Sequence, residues 1–120
     1  MENAKIAYFE DQESLRRIVT IFLRDAGHEV LHAIDTMEKA RALIAELEPE
    51  SIDVAIVDGN LGSGSTGEDG KEIVRLLRER LGNSVVVIGS SGSDDVAGAD
   101  YQASKGGNVV QTIPSIIKDL

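Results

Sequence analysis

The sequence predicts an α/β fold, a doubly wound parallel sheet of five strands with helices on both faces. Three observations carry that expectation. Short apolar runs rich in β-branched residues recur along the chain, the segments between them space their apolar residues three and four apart, and two of the runs end on acid. Strands alternating with amphipathic helices imply βαβ units, whose parallel strands must be covered on both sides.

The first run, Ala4 to Phe9, reads as a buried strand. From Glu13 the pattern turns helical: Leu15, Ile18, Val19, Phe22 and Leu23 fall on one face, expected to meet the core, and Gly27 ends the helix. His28 to Ile34 alternates as a second strand. Asp35 or Thr36 caps the next helix, whose apolar positions Ala40, Leu43, Ile44 and Leu47 stop before Pro49. Ile52 to Val57 is a third strand, finishing on Asp58. A Gly/Ser loop then leads into a helix carrying Ile73, Val74, Leu76, Leu77 and Leu81, with Glu68 and Asp69 near the positive end of its dipole.

Ser84 to Ile88 is the most β-branched segment and is expected as a central strand, with Ala99 to Ser104 as a weaker fifth. A parallel crossover normally takes about a dozen residues or more. Ser90 to Gly98 offers fewer, carries the turn signal Ser93-Asp94-Asp95, and has only Val96 and Ala97 to cover the sheet. The fourth crossover helix is therefore expected to be short or absent. The tail from Val109 to Leu120 is helical in pattern. Because Pro114 cannot donate to the Val110 carbonyl, that helix is expected to kink or start late, with Asn108 and Gln111 as a capping box.

A length of 120 residues fits a single domain over 1–120, large enough to fold without a disulfide or a metal staple. The chain has no cysteine, which excludes disulfide frameworks, zinc knuckles and thiol catalysis. A net charge of −9 argues against nucleic acid and against anionic membrane surfaces. No apolar run approaches the ~20 residues a membrane span requires, and Met1 to Lys5 lacks the parts of a signal peptide. A soluble cytoplasmic protein is the expectation.

Ligand sites in doubly wound sheets lie outside the carboxyl ends of the strands, near the switch in strand order. Glu10 and Asp11 follow the first strand, Asp58 ends the third, Ser90 and Ser91 follow the fourth, and Lys105 follows the fifth. Three neighbouring carboxylates raise one another's proton affinity unless a cation intervenes. A hard divalent ion suits that oxygen set, and Mg²⁺ is expected because it keeps waters and phosphate oxygens among its ligands. Lys105 supplies a second positive charge. Such a set fits phosphoryl transfer, where catalysis is mostly positioning and charge stabilisation. Acidic strand ends are common in solvated loops, and for any one of these residues that reading is preferable; four chain regions converging argue against it.

Two other patterns carry less weight. Gly62, Gly64 and Gly67 satisfy G-x-G-x-x-G, but they follow the third strand rather than the first, and Glu68 and Asp69 would repel a pyrophosphate. His28 and His32 lack a third metal ligand nearby and read as packing or surface histidines.

The motifs resemble the receiver domains of two-component response regulators, over nearly the whole chain. They are Glu10-Asp11, Asp58-Gly59-Asn60-Leu61, Ile88-Gly89-Ser90-Ser91-Gly92, and Gly98-Ala99-Asp100-Tyr101 running into Lys105. The resemblance implies a flavodoxin-like sheet of order 2-1-3-4-5. It also implies Asp58 as phosphoacceptor, with Glu10, Asp11, Asp58 and the Asn60 backbone carbonyl holding Mg²⁺. Ser91 (or Ser90) would be the hydroxyl that closes on the phosphoryl group, Ser91 being preferred because Gly92 follows it. Lys105 would be the family lysine and Tyr101 a candidate switch aromatic. The implied donor is a histidine kinase or phosphotransfer protein. No output domain follows Leu120, so the signal leaves through an unidentified partner protein, or the chain is an excised domain.

Four departures stand against the family pattern. The loop after Asp58 is about four residues longer and lacks proline, Gly106 replaces the proline after Lys105, Tyr101 sits four rather than three residues before Lys105, and the fourth helix is curtailed. A phosphoacceptor that is not a dedicated enzyme is the leading expectation. The alternatives are a non-phosphorylated pseudo-receiver acting as an interaction module, and an aspartate-nucleophile phosphohydrolase, which Asn60 disfavours by standing where such enzymes place an acid.

Overall fold

The computed structural model describes residues 1–62, 66–92, 95–105 and 108–120. Within them the chain runs β1 (Lys5–Phe9), α1 (Glu13–Asp25), β2 (Glu29–Ile34), α2 (Met37–Glu46), β3 (Val54–Asp58), α3 (Glu68–Leu81), β4 (Val86–Ser91), β5 (Tyr101–Ser104) and α4 (Val109–Asp119). The strands form one parallel sheet in the order β2-β1-β3-β4-β5, the doubly wound arrangement expected. The order reverses beside β1 and β3, so the crevice at their carboxyl ends is where a site belongs.

Side chains alternate across a strand, and here they divide the apolar residues into two cores. Ala7, Phe9, Ala55, Val57 and Val87 pack with Ile44, Ile73 and Leu77 beneath α2 and α3. Ile6, Tyr8, Val54, Ile56 and Ile88 pack with Val19, Leu23, Ile113 and Ile117 of α1 and α4. Every residue of β3 is buried, as a strand covered on both faces requires. The Thr36 hydroxyl accepts from the Lys39 amide at 3.2 Å and caps α2. Gly27 follows α1 at φ 93°, in the left-handed region that closes a helix.

The packing face of α1 departs from the sequence expectation. Val19 and Leu23 are buried, but Ile18 and Phe22 are each 43% exposed, and Ile21 is 55% exposed. Helical spacing reveals an apolar stripe without saying which of its edges meets the sheet. The helix is turned so that Val19 and Leu23 face inward and the Ile18–Phe22 flank lies outside.

Of the two outcomes expected from Pro114, a kink or a late start, the late start does not occur. Helix α4 is continuous from Val109 to Asp119 with Pro114 inside it. An interior proline costs about 3 kcal/mol, whereas each fully buried Ile or Val contributes roughly 1.5–3 kcal/mol. Val109, Ile113 and Ile117 are all buried on the sheet side, so the packing outweighs the lost bond. The Asn108–Gln111 capping box does not form either; the Asn108 carbonyl instead accepts from the Gln111 and Thr112 amides and from Thr112 Oγ1.

Among the described residues of the β4–β5 crossover there is no helix, as the spacing predicts. Asp100 sets the start of β5: its amide donates to the Val87 carbonyl at 2.8 Å, and its carboxylate accepts from the Val87 amide at 2.8 Å and from Arg78 at 2.6 Å. Residues Ser63 to Ser65 of the long loop, Ser93-Asp94 of the turn signal, and Gly106 lie outside the described residues.

Helix α3 approaches β3 closely at Gly70, whose amide donates to the Gly59 carbonyl at 2.9 Å. A methyl on Gly70 would stand 2.7 Å from the Asp58 carbonyl oxygen and 2.8 Å from Gly59 Cα. Both are backbone atoms and cannot swing aside. Gly70→Ala gains about 1 kcal/mol of helix propensity but overpacks the contact by about 1–3 kcal/mol. The expected net result is a lower urea midpoint; an unchanged or higher one shows that α3 can shift freely on the sheet.

Candidate functional site

The carboxyl ends of β1, β3 and β5 bring four of the sequence-selected side chains together. Glu10, just beyond β1, is fully buried, and Asp58, ending β3, is 4% exposed. Asp11 points to solvent, yet Glu10, Asp11 and Asp58 each offer a carboxylate oxygen within 4.8 Å of the others. Lys105, the residue after β5, lies between the two buried acids. Its Nζ is 2.8 Å from Glu10 Oε1, 3.1 Å from Glu10 Oε2 and 3.0 Å from Asp58 Oδ2.

Each residue is held by its own segment. The Gln12 amide donates to Glu10 Oε2 at 3.1 Å, and Arg16 donates to the Glu10 carbonyl at 2.9 Å, tying the start of α1 to the acidic pair. The Asn60 amide donates to Asp58 Oδ1 at 3.3 Å. The Asn60 side-chain oxygen accepts from the Gly67 amide at 2.8 Å, and Asp69 accepts from the Leu61 amide at 2.8 Å. The loop beyond Asp58 is thereby pinned to the first turn of α3.

Burial pushes the Glu10 carboxyl up to about 7, helped by its hydrogen-bonded neighbour Asp58 and opposed by Lys105. For Lys105, burial works against the charge, but the bond to Glu10 and the charges of Glu10 and Asp58 prevail and hold its pKa above the ordinary value. One lysine thus faces two buried carboxylates. Such a set holds one negative charge too many for its burial and favours a further cation.

The hydroxyl candidates occupy different places. Ser90 stands in register with Asp58 on the neighbouring strand and is fully buried, with no hydrogen-bond partner for its Oγ among the described residues. Ser91 is half-buried, with its Oγ 3.2 Å from where a side chain on Gly59 would begin, and its carbonyl accepts from the Lys105 amide at 3.0 Å. Tyr101 is not brought to the acids: it opens β5, pairs with Ile88 and is 45% exposed beside Arg78 and Asp100. His28 lies away from the site, accepting the Ala4 amide on Nδ1 at 3.0 Å, and burial lowers its pKa; it serves packing.

Sequence reasoning missed two neighbours of the acids. The Tyr8 hydroxyl is buried without a hydrogen-bond partner among the described residues, and burial, then Glu10 and Asp58, hold it far above the usual tyrosine range. It remains a neutral O–H at any physiological pH. Arg16 was the other. Its place six residues after Glu10, at the opening of a helix, was the available signal.

No protein-family model matches the sequence, and a search of curated proteins finds no match. Solved structures do match. The non-phosphorylated HemR receiver domain from Leptospira biflexa is 15% identical with a TM-score of 0.77, over 96% of this chain and 92% of that one. The BeF3-activated receiver domain of DrrB, a Thermotoga maritima response regulator, is 26% identical with a TM-score of 0.72, over 99% and 97%. A response regulator from Burkholderia pseudomallei, solved with a phosphorylated aspartic acid, a calcium ion and citrate, is 19% identical with a TM-score of 0.68, over 97% and 71%. The fold is that of response-regulator receiver domains. The acidic cluster at its switch point fits a phosphoacceptor site. Among the described residues, no helix is long and apolar enough to cross a membrane.

Proposed function

We propose that this chain is a phosphoacceptor receiver domain of a two-component system, taking its phosphoryl group on Asp58. The observation that carries this is Lys105 within 3.0 Å of both Glu10 and Asp58, with Asp11 beside them, at the carboxyl ends of the strands. A phosphohistidine on a histidine kinase or phosphotransfer protein is the donor. An Asp58 carboxylate oxygen attacks phosphorus, the P–O bond forms as the P–N bond breaks, and the imidazole leaves with a proton from solvent.

Glu10, Asp11, Asp58 and the Asn60 carbonyl would hold Mg²⁺, an ion that supplies charge neutralisation at phosphoryl oxygens when bound. The chain's own residues do the rest. Lys105 sets a fixed ammonium at the carboxylate and screens the incoming negative charge. Glu10, buried on the same ammonium, keeps it pointed at Asp58. Ser91 or Ser90 donates its hydroxyl to a phosphoryl oxygen; register with Asp58 and an Oγ unpartnered among the described residues favour Ser90, and an Oγ placed beside Gly59 favours Ser91. The similar response regulators solved with a phosphorylated aspartate or in a BeF3-activated form support the assignment. The domain is not a dedicated enzyme, works in the cytoplasm, and signals by protein contact.

Intact-mass analysis with a small-molecule phosphodonor, with Mg²⁺ or with EDTA, tests this reading. A phosphoryl mass increment that EDTA suppresses and Asp11→Asn reduces is expected. Equal phosphorylation in EDTA removes the metal from the proposal. The curtailed crossover and the remote Tyr101 favour one second reading, a pseudo-receiver used only as an interaction module, and no increment under any condition selects it.

A further inference from the structure

In the β4–β5 crossover, whose described residues form no helix, Val96 packs into the core beneath α2 and α3. Val96 is 2% exposed and lies in a cradle of three glycines. A methyl on Gly89 would stand 2.7 Å from Val96 Cβ, one on Gly70 would stand 3.2 Å from Cγ1, and one on Gly59 would stand 3.9 Å from Cγ2. The cradle is open only because these positions carry no Cβ. Gly59 is the residue after Asp58, and Gly89 is the residue before Ser90. Val96 therefore sits beside both the peptide leaving the phosphoacceptor and the strand leading to the candidate hydroxyls.

Gln102 fastens Val96 in place. The Val96 amide donates to Gln102 Oε1 at 3.1 Å, and Gln102 Nε2 donates to the Val96 carbonyl at 2.9 Å. One side-chain amide thus engages both backbone groups of Val96. To reach it, Gln102 crosses its register partner Gly89, where a methyl would meet Oε1 at 2.5 Å. Gln102 also stands three residues before Lys105, on the strand that delivers that lysine to Asp58 and Glu10.

We propose that Gln102 is a positioning residue that latches Val96 against Gly59, and that the state of Asp58 reaches the outer surface of the crossover through this latch. This rests on the phosphoacceptor reading. Filled cores do not absorb displacement continuously. A group bound at Asp58 that shifts the Gly59 peptide or the Ser90–Ser91 end narrows the cradle and expels Val96, and the two Gln102 bonds open. Beyond the two Gln102 bonds, Val96 is tied only through a turn, where the Ala99 amide donates to its carbonyl at 3.3 Å, so the Val96 end of the crossover opens locally, well short of global unfolding.

Amide hydrogen exchange on the full chain, with and without Mg²⁺ plus beryllofluoride, tests the latch. In the wild type the Val96 amide is expected to exchange at least tenfold faster with beryllofluoride bound. In Gln102→Leu it exchanges fast in both states, while residues 58–62 still respond to beryllofluoride. Gln102→Glu keeps the acceptor and loses the donor, and gives an intermediate basal rate; it carries the comparison if the leucine variant folds poorly. A response at 58–62 with Val96 unmoved overturns the latch alone, as does a full Val96 response in both Gln102 variants. No response anywhere, including 58–62, overturns the latch together with the phosphoacceptor reading.

Discussion

Asp58→Asn is expected to abolish phosphorylation by small-molecule phosphodonors. Asp58 alone is framed by both Lys105 and the Glu10–Asp11 pair; the amide is a far weaker nucleophile and leaves the site one charge short. The same variant has a second signature. Asp58 contributes two of the causes that raise Glu10, a hydrogen bond and a charge, so Glu10 should titrate closer to an ordinary glutamate. Intact-mass spectrometry reads the first effect, and an unchanged phosphorylated fraction sinks the assignment. A pH series of unfolding midpoints reads the second.

The wild type should lose stability as pH rises through the weakly acidic range in Mg²⁺-free buffer. Glu10 titrates near 7 in the native state against an ordinary value of 4.5, chiefly because it is buried. Between those values the folded protein holds a proton that the unfolded chain has released. The slope of unfolding free energy with pH is therefore negative there and flattens above about 7. At 1.36 kcal/mol per unit, and discounting for its coupling with Asp58 and Lys105, the loss is on the order of 2 kcal/mol. Glu10→Gln removes the titrating group and should flatten the profile. Parallel wild-type and Glu10→Gln curves in urea melts from pH 4.5 to 8 would mean that Glu10 stays charged beside Lys105 throughout.

Much of this arrangement was legible in the residues. Apolar runs ending in Glu10 and Asp58 mark strand ends, and in a doubly wound sheet the carboxyl ends share one crevice, so the meeting of Glu10, Asp11, Asp58 and Lys105 needs only the topology. What stayed hidden depends on geometry that no period encodes. The Ile18–Phe22 flank looked like core because spacing reports a stripe and not its rotation. Pro114 pointed to a kink or a late start because its local cost is visible in sequence, whereas the burial of Ile113 and Ile117 that lets the helix begin at Val109 is tertiary. Val96 was visible beside Ala97 as an apolar residue of the crossover, but its glycine cradle comes from three separate segments. Gln102 gave no signal, since an exposed amide on a short strand ordinarily means solvent.

The curtailed crossover also bears on how the chain finds its fold. Residues 92–100 join β4 to β5, whereas residues 59–85 join β3 to β4. The longer connection has about three times the length, so closing the shorter one costs the unfolded chain about 1 kcal/mol less entropy. The β4–β5 pair is thereby the most local parallel pairing in the sheet, with the least loop-closure entropy to overcome. The edge that delivers Lys105 closes at less entropic cost than the β1–β3 pairing, which must bring Ile6 to Val54 across most of the amino-terminal half. The short crossover thus lowers the entropic cost of pairing the strand that carries Lys105 to the acids.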